Sequence, residues 1–340
     1  MITALVVAAV LNTGTPASPP CRFTGEPRAW TAEALASWDR LDRERLRIAQ
    51  PVTPVITLFD EVCAFTLTPD ARGDFRVGAR RYRAHGMAHS GQVGLPDGGT
   101  VPAGKLAFAS PLSDGRMFFI MALPSVWRAD RSEPRDWSRL SMVVFMHEFA
   151  HTQQAASLGV RVDDLLARGL PEDSDDDVVQ DRFGAQPGYL PAYEAERDLF
   201  YQAAAAPDVR TARAGLASAA RAMEARRARW FHGENALYAE ADDVFLTLEG
   251  TGNWAAWMWL TDPRGGRLSP ADAATFVRGG GNRWSQDEGL GIMLAVDRLT
   301  PDWPALAFSP RGATADRLIR RATAQYASAI PSLRISVAAP

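Results

Sequence analysis

The period of the apolar positions changes once along this chain. From Val52 to Pro124 they alternate or run in short β-branched and aromatic stretches, and after Trp127 they recur every three or four residues. Pro54 to Phe59 and Val62 to Leu67 read as strands, and Leu95-Pro-Asp-Gly-Gly-Thr100 and Ser113-Asp-Gly115 read as turns. Lys105 to Ser110 and Arg116 to Leu123 then form a hairpin about Ser113-Asp-Gly115. Its second strand, Met117-Phe-Phe-Ile-Met-Ala-Leu123, is apolar on both faces, which predicts burial on both. Beyond it, Ser132-Glu-Pro-Arg opens a helix that carries helical periodicity from Trp137 to Leu158. Further helices are expected over 192–206, 209–231, 236–260 and 287–299. Arg278-Gly-Gly-Gly281 reads as a flexible joint, because no strand precedes it as one would in a phosphate loop. The pattern predicts an α+β chain with a β-rich N-terminal lobe over 21–130 and a mainly helical lobe over 131–340.

The ends and the composition narrow the class. Ile2 to Leu11 is apolar but about half the length a bilayer demands, so no integral membrane segment is expected. The small, turn-forming residues 12–20 after it read as the end of a secretory signal, with Thr15-Pro16-Ala17 at the cleavage site, although a positive leader is missing. A buried N-terminal strand is the alternative. Export agrees with Cys21 and Cys63, two cysteines that would close one long loop in an oxidising compartment. A net charge of −3 argues against a nucleic-acid partner. Lys105 is the sole lysine, and no Gly-x-x-x-x-Gly-Lys-Ser/Thr motif exists.

Chemistry concentrates in His147-Glu148-Phe149-Ala150-His151. On a helix the i and i+4 imidazoles share a face and can hold one ion, while Glu148 projects beside it. Zinc favours such ligands and leaves a position for water, whose proton Glu148 can accept and pass to a leaving amine. Leu140, Val143 and Val144 extend the histidine face as an apolar stripe.

The motif resembles that of the zincin metallopeptidases. After His151 comes Thr-Gln-Gln-Ala-Ala-Ser-Leu, without the nearby third histidine of the metzincins. The resemblance is therefore to the gluzincins, and it implies a zincin-like fold, a zinc cofactor, a peptide or protein substrate, and a glutamate ligand on a later helix. It also implies an antiparallel edge strand before the motif helix, for which Met117 to Leu123 is the counterpart here.

Three glutamates compete for the third ligand. Glu196 lies on the apolar stripe Tyr193, Glu196, Leu199/Phe200, Ala203, where a buried carboxylate needs a cationic partner such as a metal. It is the preferred ligand with His147 and His151. Glu194-x-x-x-Asp198 matches the thermolysin-like spacing, in which the aspartate orients a ligand histidine. Glu249, in Leu248-Glu-Gly-Thr-Gly-Asn-Trp254, resembles the Glu-Gly segment of gluzincin aminopeptidases; otherwise it marks a helix break beside the cleft.

The remaining polar features read mostly as structure. His232, Tyr193 and Tyr238 are the candidate oxyanion stabilisers. Asp287 or Ser285 caps the helix after Trp284, and Arg226-Arg-Ala-Arg229 is a solvated helical face. Asp173-Ser-Asp-Asp-Asp177 is a solvated loop or else a calcium loop, and His85 and His89 are surface histidines. The tryptophans, Trp254, Trp257 and Trp259 among them, pack the core before they line a wall for substrate. A zinc-dependent peptidase is the main expectation. A non-catalytic protein with a structural zinc is the alternative, and a two-histidine, one-carboxylate oxygenase is a third reading that leaves Glu148 without a task.

Overall fold

The computed structural model describes residues 21–129 and 136–324; the expected leader over 1–20 and the helix start at Ser132 lie outside them. The described chain is α+β. It opens on a helix where the reading of the first lobe expects none, α1 (Gly25–Leu41), which a π turn over Asp42–Leu46 continues. Its apolar stripe is present in the sequence: Ala34, Trp38 and Leu41 follow one another at helical steps and are all buried.

Strands β1 (Val55–Phe59), β2 (Cys63–Pro69), β3 (Phe75–Val77) and β4 (Arg80–Ala88) come next. A small hairpin of β5 (Gln92–Gly94) and β6 (Thr100–Pro102) precedes β7 (Ala107–Pro111) and β8 (Met117–Ala122). The main sheet has the order β3-β4-β2-β1-β8-β7. Only β1 and β8 run parallel; the expected hairpin is the antiparallel pair β7 and β8. Side chains alternate between two apolar layers. Ile56, Leu58, Phe119 and Met121 meet the helices, while Val55, Phe59, Phe118 and Ile120 pack under the small hairpin. Both faces of β8 are therefore covered, as its composition requires. The Cys21–Cys63 disulfide pins the start of the described chain to β2.

β8 is hydrogen-bonded on both sides, so it is not the edge strand expected of Met117 to Leu123. The edge beside the motif helix is β7.

Helices α2 (Pro124–Ala129) and α3 (Trp137–Gln154) begin the second half. Asp136 caps α3 by accepting from the Arg139 N–H at 3.1 Å. On one side of α3, Phe145 and Phe149 stack on each other and meet Phe119 of the sheet edge to face. A π turn over Ala155–Gly159 ends α3 earlier than its periodicity suggests and leads into α4 (Val160–Ala167). Then follow α5 (Val178–Phe183), α6 (Tyr189–Ala205), α7 (Val209–Trp230), α8 (Tyr238–Thr261), α9 (Pro270–Arg278), α10 (Trp284–Leu299), α11 (Pro304–Ala307) and α12 (Ala315–Ala324). One apolar core runs from the sheet into this bundle and takes in Trp38, Phe149, Trp254 and Met293 together.

α8 is the central helix of the bundle and packs on both α3 and α10. Two glycines set how closely. A Cβ on Gly250 would sit 2.5 Å from the Gly289 carbonyl oxygen of α10, and one on Gly252 would sit 2.9 Å from His147 Nδ1 of α3. The Leu248–Trp254 segment is therefore unbroken helix; its glycines bring three backbones together, and Glu249 marks no helix break.

Candidate metal centre

The outward side of α3 carries His147, Glu148 and His151 toward α8. The carboxylate that meets them there is Glu249. Its Oε2 lies 3.0 Å from His147 Nε2 and its Oε1 lies 3.4 Å from His151 Nε2, while the two Nε2 atoms are 3.1 Å apart. His147 and Glu249 are each 7% exposed.

Hydrogen bonds on the far side of each ring decide what these atoms offer. Asn253 donates its Nδ2–H to the Gln286 carbonyl at 2.9 Å, which turns Oδ1 toward His147 Nδ1 at 2.8 Å. Gln154 likewise donates to Thr251 Oγ1 at 2.6 Å and turns its Oε1 toward His151 Nδ1 at 3.4 Å. Both amide oxygens thereby favour hydrogen on Nδ1, which leaves each Nε2 to face Glu249. Two ring nitrogens and a carboxylate then converge on one point, where a proton on His147 in the metal-free chain, or a metal ion in its place, balances the buried charge. The set fits a zinc ion by donor type, and these are the residues that would hold it.

Proton affinities follow from this crowding. Burial would lower the His147 pKa, but Glu249, by charge and hydrogen bond, and Glu148 together raise it to about 9. Burial pushes Glu249 the other way, and the charges of His151 and His147 more than offset that, so its carboxyl stays below the usual range. Glu148 is held above its ordinary value by burial first, against the pull of the histidines.

Glu148 makes no hydrogen bond among the described residues and lines a cleft of about 530 Å³. Leu140, Val143 and Val144 form one wall on α3, Lys105 to Ala107 lead into β7 at its edge, and Arg278, Asn282, Arg283 and Gln286 form the opposite wall. That wall is the joint between α9 and α10, where Gly279, Gly280 and Gly281 all adopt positive φ.

The expected stripe on α6 is present, with Tyr193, Glu196, Phe200 and Ala203 buried. Its carboxylate has a different partner from the one expected. Glu196 accepts from Arg226 Nε at 2.7 Å and Nη2 at 2.9 Å, deep between α6 and α7 and apart from the histidines. Arg226 is thus a buried ion-pair centre and not part of a solvated face; it is 2% exposed. Glu194 and Asp198 are exposed.

None of His232, Tyr193 and Tyr238 lines the cleft. The Tyr193 hydroxyl donates to the Trp284 carbonyl at 3.1 Å and its ring stacks on Trp284. Asp287 does not cap α10; it accepts from Arg278 at 2.7 Å and from the Tyr201 hydroxyl at 2.9 Å. Ser285 does not cap it either. His85 lies exposed on β4, and His89 Nε2 pairs with the Asp60 carbonyl at 3.0 Å. Trp254 packs on Trp303 in the core.

Within the acidic loop, Asp175, Asp176 and Asp177 lie together. Asp176 turns inward, where it accepts from Gln286 Nε2 at 2.9 Å. Its carboxyl is raised by burial and then by the charge of Glu249. Asn253, Gln154, Asp176 and Arg283 escape the sequence reading. Asn253 carries a legible signal: it stands one helical turn after Glu249, on the same face of the helix.

No protein-family model, curated protein or solved structure matches this chain.

Proposed function

We propose that the protein is a zinc-dependent hydrolase, a peptidase of gluzincin type, in which His147, His151 and Glu249 hold the ion. One observation carries the reading: two imidazole nitrogens and a carboxylate converge with no Arg or Lys hydrogen-bonded to them among the described residues, and Glu148, which makes no hydrogen bond there, lines a cleft directly beside them. A zinc ion bound there supplies a polarised water and an electrophile for the scissile carbonyl. Glu148 is placed to act as the general base, its carboxylate accepting a proton from the attacking water and passing it to the leaving amine. Its raised proton affinity suits both halves of that exchange. Asn253 and Gln154 keep the ring nitrogens pointed inward throughout.

The exposed edge of β7, which leads into the cleft, supports an extended peptide as substrate and the zincin-like reading of the fold. A structural zinc would close its fourth position, and the cleft beside Glu148 speaks against that. The Cys21–Cys63 disulfide supports export, and no described helix is long and apolar enough to cross a membrane.

The test is Glu148→Gln. Elemental analysis should find about one zinc per chain in both proteins, while the variant loses peptide hydrolysis by roughly 10²–10⁴-fold. Retained hydrolysis, or a wild-type protein that binds no zinc, would sink the reading.

A further inference from the structure

Charge is distributed against the trend of the chain at this cleft. Lys105, Arg278 and Arg283 line it against Glu148 and Asp287, so the lining carries an excess of positive charge in a chain of net charge −3. The two carboxylates are not equivalent. Asp287 is 1% exposed and already engaged by Arg278 at 2.7 Å and Arg197 at 3.5 Å. Glu148 is the other carboxylate of the lining, and Glu249, Asp176 and Asp177 stand near Arg283 outside it.

Those cations differ in what they can give. Arg278 is immobilised by Asp287. Lys105, the sole lysine, stands beside β7 with its ammonium 5.1 Å from the centre of the Trp137 ring. Arg283, at the start of α10, is exposed and donates no hydrogen bond among the described residues. It is no distant rim group, because its charge favours the ionised forms of Glu249, Asp176 and Asp177. A guanidinium so placed offers a planar fork of N–H donors that matches a carboxylate. The facing wall of Leu140, Val143 and Val144 is apolar and begins one turn before His147.

Resting on the peptidase reading above, we infer that the cleft takes peptides with an apolar side chain beside the cleaved bond and a carboxylate close to it, and that Arg283 binds that carboxylate. The carboxylate comes from a free C-terminus or from an Asp or Glu side chain.

Two pairs of otherwise identical peptides separate these sources, one pair ending in carboxylate or carboxamide and one carrying internal Glu or Gln. With the zinc-loaded chain, the acidic member of at least one pair should show a KM about tenfold lower, the size of one charge-assisted hydrogen bond. Arg283→Gln should collapse that ratio toward one, Arg283→Lys should keep part of it, and Arg221→Gln on the exposed face of α7 should leave it intact. The same peptides titrated into zinc-loaded Glu148→Gln by calorimetry read the preference without turnover. Tighter binding of the acidic member supports the inference even where nothing is hydrolysed, an outcome that counts against the peptidase reading alone. Hydrolysis with equal KM and equal binding within both pairs overturns the inference and leaves the peptidase reading standing.

Discussion

Two buried polar clusters sit within the same helical bundle and resolve the same problem in opposite ways. Around Arg226, the carboxylates Glu196 and Asp242 are almost wholly enclosed, and every charge has a protein counter-charge: a bidentate contact to Glu196 and a 3.0 Å contact from Nη2 to Asp242 Oδ2. Tyr189 accepts from Arg226 Nη1 at 2.7 Å and Arg227 shares Asp242, so the network closes on itself. Around His147, two ring nitrogens meet Glu249 with no guanidinium hydrogen-bonded to them, and the open side is a cleft. A buried carboxylate needs a cation or a proton, and burial alone does not say which. The surroundings decide: a long arginine on a neighbouring helix completes a structural pair, whereas two imidazoles held by amides face the second carboxylate beside a cleft, with the donor types a metal ion takes.

Substituting the two glutamates should break this comparison most visibly. Glu249→Gln is expected to lower zinc affinity by more than the roughly 10–100-fold typical of an outer hydrogen-bond partner. Glu196→Gln should leave zinc content unchanged in the folded protein while destabilising it by about 3–5 kcal/mol, because Arg226 is left under-compensated. Chelator competition and chemical denaturation read the two effects, and the reverse assignment would overturn the metal centre.

The next effect is one of pH. With its pKa near 9, His147 holds a proton at neutral pH in the metal-free chain, and zinc must displace it. Apparent zinc affinity should then fall about tenfold per unit as pH drops below 9. Metal-free stability carries the opposite sign. The His147 pKa is raised above its unfolded value, so its contribution is full below about 6.5 and is lost as pH rises through about 9. Melting curves of metal-free and zinc-loaded protein from pH 6 to 9 should therefore diverge. Parallel curves would show that Glu249 and His147 do not share a proton.

The smallest effect belongs to Glu288, at the edge of the arginine network. Burial, then the charge of Glu196, raises its pKa well above the ordinary value, and its Oε1 is buried without a partner. A carboxyl raised in this sense contributes stability at low pH that is lost as pH climbs above the unfolded value. Glu288→Gln should therefore raise the melting temperature by a few degrees at pH 8 and by less at pH 5. A constant difference across that range would show that Glu288 is not protonated in the folded chain.

How much of this was legible depends on the range of the interaction. The α1 stripe is legible at helical steps, but the strands that follow dominate the pattern of that lobe. Glu249-Gly250 looks like a break when read locally, since glycine disfavours helices in isolation. Only the closeness of α10 and of the His147 ring shows that glycine is the residue that fits there.

By itself, the sequence determined what is periodic and local: the α+β division, the β7–β8 hairpin, the stripe that buries Glu196, and the pairing of His147 with His151 around Glu148. Backbone periodicity sets which side chains share a face, and composition sets which faces must be buried. Only the tertiary structure decided between partners distant along the chain. It gave Glu196 to Arg226 and Glu249 to the histidines, made β7 rather than β8 the edge, and set Arg283 at the cleft. Those choices turn on angstrom-scale distances between packed helices, and one chain's periodicity carries no information about the helix it will meet.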